Sequence, residues 1–177
     1  MPPGRPPATV RAEADHQPEL RDLRPCEPGG LGQILHVMEP NGSSPSAPSW
    51  QQLTKAECLL LLACVGVGRV VYTRRAMPAV ELVSFALDES DIVISTDPDG
   101  ALAAATHHTV VAFEADQVDM ATWLGWSVTA VGRSRHVTEA HDVARLRDTG
   151  LRSLEPGGQE HFIRVTPDIL RGRRLPG

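Results

Sequence analysis

Residues 77–105 read MPAVELVSFALDESDIVISTDPDGALAAA, and this stretch decides the fold. Residues 78–87 are apolar and rich in β-branched and aromatic side chains, which is typical of a buried strand. The polar residues 88–90 predict a turn, and residues 91–96 predict a second short strand. The turn 97–100 then leads through a glycine into a helix at 101–105. Such a junction can present free backbone N–H groups to an anion, so it is the first candidate ligand site.

Further elements are predicted on both sides of this stretch. Thr54 and Glu57 have the spacing of a helix capping box, which predicts a helix ending near residue 64. We predict other strands at 68–73, 109–116, 125–138 and 161–166, the last continued by 171–174, and a helix over 139–148. The strand 125–138 is expected to be the longest, with a bulge or bend at Gly132. The hairpin-sized connections predict a mainly β protein, a six-stranded antiparallel small barrel with short peripheral helices.

The N-terminal quarter differs in composition from this body. Ten of the 15 prolines lie in residues 1–49, so this segment cannot bury enough apolar surface to offset the entropy of ordering. We predict a disordered Pro-rich extension, 1–49, followed by one folded domain, 50–177. The apolar island 31–38 leaves open a second reading, in which the extension docks loosely on a partner subunit.

Charge and composition exclude several classes of protein. The formal net charge of −5 gives no reason to expect nucleic acid or an anionic membrane surface as a partner. Three cysteines, an odd number, do not make a disulfide framework. The longest apolar run is too short to span a bilayer, and the N-terminus lacks the apolar core of a signal peptide. We therefore expect a cytoplasmic protein.

Several sequence blocks, taken in their order and spacing, carry a resemblance to a known family. The body resembles the pyridoxamine 5′-phosphate oxidase-like, FMN-binding split β-barrel family, and within it the actinobacterial branch of small flavin- and deazaflavin-binding proteins. The matching blocks are 67–73, 77–80, 82–85, 94–96, 100, 102–104, 110–116, 125–128, 131–133 and 161–165.

The resemblance implies a homodimer that holds FMN, or a deazaflavin instead, in two clefts at the subunit interface, and acts on a small-molecule substrate. It places the isoalloxazine ring along the second strand and the phosphate at the end of the third strand and the following helix start. The partner subunit contributes from the long strand. The implied cofactor-binding residues are Val83, Ser84 and Phe85 for the ring; Ser95, Thr96, Gly100, Ala101 and Leu102 for the phosphate; and Trp126 and Ser127 from the partner.

This chain departs from the family pattern at the phosphate position. Family members commonly carry Arg where this chain has Ser95, and Lys where it has Ala101. Asp97 and Asp99 stand nearby, and their charge opposes a dianion. Charge-assisted hydrogen bonds are about twice as strong as neutral ones, so losing two could weaken FMN by on the order of 100-fold. Backbone N–H groups, or a distant arginine (Arg69, Arg133 or Arg164), remain as substitutes.

Two classes of function follow. The first is a flavin- or deazaflavin-dependent oxidoreductase, in which the cofactor carries the redox chemistry and no side chain need be named as catalytic. The second is a non-catalytic binding or interaction module that kept the barrel and lost the phosphate-binding cations. No metal site is expected, because neighbouring His107 and His108 do not face each other on a helix, and the other histidines lack ligand spacing.

Overall fold

The computed structural model describes residues 50–154 and 160–175. The predicted Pro-rich extension lies outside these residues. In chain order the described elements are β1 (Gln51–Leu53), α1 (Lys55–Ala63), β2 (Val67–Arg74), β3 (Met77–Asp88), β4 (Asp91–Thr96), α2 (Ala101–Ala105), β5 (Val110–Val118), β6 (Gly125–His136), α3 (Ala140–Asp148) and β7 (His161–Leu175).

The strands form one antiparallel sheet that closes on itself. Its order is β1-β7-β4-β3-β2-β5-β6, and a further pairing between β6 and β7 joins six of the strands into a barrel. The predicted six-stranded antiparallel barrel is therefore confirmed. The three-residue strand β1 pairs with the last residues of β7 outside the ring, Gln51 opposite Arg174. Three residues carry too little periodicity to be recognised as a strand in the sequence.

Strand β7 is the longest of the described strands, so the expectation that 125–138 would be longest was wrong. At 15 residues, β7 pairs with β4 through its first part and with β6 along nearly its whole length. The predicted irregularity in β6 is present, because the β6–β7 register shifts between Val131 and Gly132. A Cβ atom on Gly132 would lie 2.0 Å from the Thr166 carbonyl oxygen, so the bulge brings two backbones too close for any side chain there.

Local interactions explain how the elements begin and turn. Helix α1 starts at the predicted capping box, where the Thr54 N–H donates to Glu57 Oε2 at 2.7 Å and the Glu57 N–H donates to Thr54 Oγ1 at 3.3 Å. The β2–β3 hairpin turns through Arg75 and Ala76, both with positive φ, as a tight two-residue hairpin requires. Neither residue is the glycine or asparagine that usually marks such a turn.

Two apolar cores hold the fold together. The first fills the barrel and includes the buried side chains of Leu62, Phe85, Phe113 and Trp126. The second lies outside the barrel, where Val93 and Phe162 pack under Leu146 of α3 and the following Leu151. Residues that alternate along β4 and β7 therefore face different cores, and both faces of this part of the sheet are covered. Among the described residues, no helix combines the length and apolar character that a bilayer crossing needs.

Candidate flavin site

Ser84 and Ser95 are direct cross-strand partners on β3 and β4, so their side chains share one face of the sheet. Ser95 also pairs with Phe162, which belongs to the second core, so this face is the outer one. The Ser84 hydroxyl donates a hydrogen bond to the backbone carbonyl of Arg152. Ser95 is only 2% exposed, and its hydroxyl has no hydrogen-bond partner among the described residues. A buried hydroxyl without a partner is costly, and a ligand atom could satisfy it.

Val83 and Phe85, the other two residues expected along the flavin ring, point the opposite way. Both side chains are buried in the barrel core, and the Phe85 ring packs edge-on against Phe113 with a centroid separation of 4.7 Å. They can reach a ligand on the outer face only through their backbone. Leu82 and Val67 share that face with Ser84 and are exposed, and Arg69, the cross-strand partner of Leu82, lies on the same face.

The predicted phosphate residues meet where β4 passes into α2. The Asp99 N–H donates to Asp97 Oδ1 at 3.0 Å and the Gly100 N–H donates to the Asp97 carbonyl at 3.0 Å, which fixes the turn. Gly100 stands at the N-terminal cap of α2, Ala101 is half-buried, and Leu102 is fully buried in the barrel core. Residues 95–102 contain two carboxylates and no cation.

Trp126 and Ser127 are not brought to this site within one chain. Trp126 pairs with Arg174 near the end of β7, whereas Ser95 pairs with Phe162 near its start. The Trp126 side chain is 1% exposed inside the barrel. The Ser127 hydroxyl donates to Glu114 Oε1 at 3.4 Å. These two residues could contribute to a site at Ser95 only from a second copy of the chain.

Two of the three arginines considered as substitute cations are already paired. Arg69 donates to Asp116 at 2.8 Å and approaches Glu114 at 3.5 Å. Arg164, largely buried, forms ion pairs with Asp88 and, at 3.2 Å, with Asp91. Arg133 makes no ion pair or hydrogen bond with a side chain of the described residues.

A large cleft opens beside the β3–β4 hairpin. It has a volume of about 890 Å³, within the range of small-molecule sites, and lies between the end of α1, the hairpin and α3. Its apolar side includes Leu62, Val65 and Leu87. Its polar side includes Asp88, which the Arg145 guanidinium contacts through two hydrogen bonds of 2.8 Å. These bonds, with those from Arg164, lower the pKa of Asp88 to about 2.

A row of four histidines lies at the end of the barrel that α2 covers. Ring centroids are 4.0 Å apart for His107 and His108, 4.5 Å for His107 and His136, and 4.5 Å for His136 and His161. His136 Nε2 lies 3.0 Å from the Ala103 carbonyl of α2, and His161 is the cross-strand partner of Thr96. Sequence spacing gave no sign of this grouping, because the four residues come from three separate segments. In residues 50–154 and 160–175, no three His, Cys, Asp or Glu residues are placed to hold a metal ion.

Burial and mutual repulsion affect the titration of this row. Burial lowers the pKa of His107, His136 and His161. Neighbouring histidines add to the effect by lowering the pKa of His107 and His136 further. The row therefore favours neutral imidazoles at physiological pH and does not supply fixed cations to the nearby phosphate position.

Comparisons with known proteins agree with this geometry. A protein from Mycobacterium tuberculosis, the uncharacterised Rv0080, is 31% identical over 141 residues, which cover 75% of this chain and 90% of that protein. The solved structure of an FAD-binding protein from Mycobacterium smegmatis is 29% identical, with a TM-score of 0.61 over 71% of this chain and 98% of the other. A conserved protein of unknown function from Corynebacterium diphtheriae is 25% identical, with a TM-score of 0.60 over 71% of this chain and 98% of the other.

The sequence profile of one family spans nearly all of the described fold. The profile is that of pyridoxamine 5′-phosphate oxidase, and it matches residues 54–174, from the cap of α1 to the end of β7. The chain belongs to the pyridoxamine 5′-phosphate oxidase-like family of split β-barrels.

Proposed function

We propose that this protein binds a flavin nucleotide or a deazaflavin and acts as an oxidoreductase on a small molecule, as a cytoplasmic homodimer. The observation that carries the proposal is the Ser95 hydroxyl, which is buried with no hydrogen-bond partner among the described residues, at the position that the family resemblance assigns to the flavin phosphate. The FAD-binding protein from Mycobacterium smegmatis, which shares the fold and 29% of the sequence, supports the same class of ligand.

The outer face of β2 and β3 suits the ring of the cofactor. Val67, Leu82 and Ser84 share this face, and the first two are exposed apolar side chains beside a hydroxyl. A flat aromatic ring needs apolar contact with a few polar groups that fix its orientation, which is the composition of this patch. Ser84 would have to exchange its bond to the Arg152 carbonyl for one to the ligand, or keep that bond and contribute only packing.

In this chain, no Arg or Lys within residues 95–102 is available to bind the phosphate end of the ligand. Ser95 and Thr96 supply hydroxyls and the turn before α2 supplies backbone N–H groups, whereas Asp97 and Asp99 bring negative charge. We therefore expect weaker selection for the phosphate than in relatives that carry arginine and lysine there. A bound flavin would supply hydride or electron transfer, while the protein supplies binding, orientation and the exclusion of water.

The lack of a cation in this turn favours a second candidate function. A barrel that has exchanged its phosphate-binding cations for Ser95 and Ala101 could serve as a non-catalytic binding or interaction module. In that case the contact between Ser84 and the Arg152 carbonyl would be the permanent state of the outer face.

Direct titration separates the two candidates. The purified protein is inspected for the visible absorbance of oxidised flavin and then titrated with riboflavin, FMN, FAD and a deazaflavin while ligand fluorescence is followed. Saturable binding of any of these supports the first candidate. Protein that is colourless and binds none of the four at micromolar concentration supports the second.

A matched pair of variants locates the binding surface. Leu82→Trp adds a bulky side chain to an exposed position beside Ser84 on the outer face, and Thr73→Trp adds the same side chain to an exposed position at the far end of β2. We expect Leu82→Trp to abolish ligand binding and Thr73→Trp to leave it unchanged. Equal binding by both variants would mean that the ligand lies elsewhere.

A further inference from the structure

Arg133 and Arg135 on β6 are cations without partners in the described part of the chain. They are two residues apart on one strand, so both side chains project from the same face with their Cα atoms about 7 Å apart. Both are exposed. By contrast, Arg69, Arg145 and Arg164 are each held in ion pairs with carboxylates.

These two arginines line a pocket of about 300 Å³ that includes none of the residues predicted to contact the flavin, and Arg135 also borders the large cleft beside the β3–β4 hairpin. Its lining residues are His108, Arg133, Ser134, Arg135, Thr166 and Asp168. The volume is at the lower end of the range for small-molecule sites, so the pocket suits a small group and not a whole dinucleotide.

Neighbouring backbone fixes the walls of this pocket. The Ser134 hydroxyl is buried and donates to the carbonyls of Thr106 and Thr109, which ties β6 to the segment between α2 and β5. On the other wall, the β6 bulge at Gly132 brings Thr166 against β6. His108 is held with a positive φ of 55°, an uncommon conformation that its surroundings must maintain. The backbone that carries Arg133 and Arg135 is therefore tied to neighbouring segments on both sides.

We propose that this pocket is a binding site for a phosphate-type anion, with Arg133 and Arg135 as its ligands. Each guanidinium presents a planar fork of N–H donors that matches two phosphate oxygens. The lining carries two arginines and one carboxylate, that of Asp168. Asp168 is the opposing charge, so it weakens anion binding. This inference goes beyond the flavin proposal, because the pocket contains none of the predicted cofactor-binding residues and binding there does not require a flavin.

Isothermal titration of the full-length protein with inorganic pyrophosphate at low ionic strength tests the site. We expect saturable binding by the unsubstituted protein, and a loss of affinity of about tenfold or more for Arg133→Gln and again for Arg135→Gln. The matched control for each variant is Arg74→Gln, which also removes one positive charge but from the exposed β2–β3 hairpin, and it should bind as the unsubstituted protein does.

Asp168→Asn provides a test in the opposite direction. Removing this carboxylate should tighten pyrophosphate binding several-fold, since it relieves repulsion at the pocket, and a variant that merely damaged the fold could not produce this gain. No binding by the unsubstituted protein would overturn the proposal. So would equal binding by the Arg133→Gln and Arg135→Gln variants and the hairpin control.

Competition identifies the source of the anion. If pyrophosphate displaces FMN or FAD and leaves riboflavin bound, the pocket receives the phosphate end of a flavin nucleotide. If pyrophosphate and the flavin bind together with unchanged affinities, the pocket receives a separate phosphoryl compound. Either result is compatible with an anion site at Arg133 and Arg135, and each names a different ligand.

Discussion

The side chain of Asp88, at the edge of the large cleft, is expected to contribute measurably to the stability of the fold. Its carboxylate is 16% exposed and accepts hydrogen bonds from Arg145 and from the largely buried Arg164. Because these bonds lower its pKa from 3.8 to about 2, the ionised form is favoured in the folded state. Asp88→Asn should therefore lower the free energy of unfolding at neutral pH by about 2 kcal/mol, measured by urea denaturation.

The lowered pKa of Asp88 also predicts how the stability difference between the two proteins changes with pH. A depressed carboxyl pKa contributes stability that is fully present above the unfolded value of 3.8 and is lost as the pH falls toward 2. The difference between the unsubstituted protein and Asp88→Asn should shrink over that interval. Glu89→Gln is the control, because Glu89 is exposed in the same hairpin with no ion pair among the described residues. If both variants cost the same, the guanidinium contacts are not the cause.

Ala101 tests the missing charge at the predicted phosphate position. It is half-buried at the start of α2, whereas Ser95 is too deeply buried to accept an arginine without disturbing its neighbours. Ala101→Lys should raise FMN affinity by about threefold to tenfold, since a cation beside the turn offsets Asp97 and Asp99. Fluorescence titration should show the gain for FMN, reduced by added salt. An equal gain for riboflavin, which lacks the phosphate, would place the phosphate elsewhere.

The bulge in β6 leaves no space for a side chain at Gly132. Gly132→Ala would place a Cβ atom 2.0 Å from the Thr166 carbonyl oxygen, so the β6–β7 pairing must shift. We expect a loss of about 1–3 kcal/mol in the free energy of unfolding, seen as a lower melting temperature. Gly66→Ala is the control, because nothing lies within 4 Å of its added Cβ, and it should change stability little.

The elements that could be predicted from the sequence are those whose signal lies in a short, continuous stretch of residues. Strands β3 and β4, helix α2 and the capping box of α1 follow from short-range apolar pattern and hydrogen-bonding chemistry, and Gly132 signalled its bulge. The sequence could not show that Val83 and Phe85 face the barrel while Ser84 faces outward, because β3 carries apolar side chains on both of its faces and the apolar run does not alternate.

Contacts between residues that are far apart in the sequence could not be predicted from local sequence pattern. The row formed by His107, His108, His136 and His161 depends on where α2 ends and on the β4–β7 register. The bond from Ser84 to the Arg152 carbonyl uses a backbone group that every residue possesses, so no sequence signal marks it. The predicted flavin residues remain predictions, although the structure brings Ser84 and Ser95 together.

At the scale of the whole molecule, the histidine row should make the fold sensitive to acid. Burial first, and then neighbouring histidines, hold the pKa of His136 below 6.5, and burial does the same for His161. Their neutral forms stabilise the fold fully above pH 6.5, and this contribution is lost as the pH falls through the lower folded values. The melting temperature should therefore fall as the pH is lowered below 6.5.

A glutamine at one position of the row reduces the number of protons taken up on unfolding. His136→Gln keeps a donor for the Ala103 carbonyl and should give a shallower fall of melting temperature with pH than the unsubstituted protein. His141→Gln is the matched control, because the His141 side chain is 89% exposed and lies outside the row. If its slope changes as much as that of His136→Gln, the row is not the origin of the acid sensitivity.

The assembly state is the largest-scale consequence of the exposed apolar face of β2 and β3. Val80 and Leu82 are 64% and 55% exposed, they alternate along β3, and Val67 of β2 lies on the same face. Exposed apolar side chains grouped in this way mark an interaction surface in a soluble protein, and Arg69, the cross-strand partner of Leu82, lies among them. We expect the protein to sediment as a dimer at micromolar concentration and Leu82→Glu to sediment as a monomer, because a two-fold interface would bury two like charges together.

Met120→Glu, in the exposed loop between β5 and β6, also replaces an exposed apolar side chain with a carboxylate, but outside this face, and it should remain dimeric. If the protein remains a dimer in Leu82→Glu and becomes a monomer in Met120→Glu, the interface lies at that loop instead. Trp126 and Ser127 on the adjoining β6 could then reach Ser95 of the partner subunit only through a different relative orientation of the two subunits.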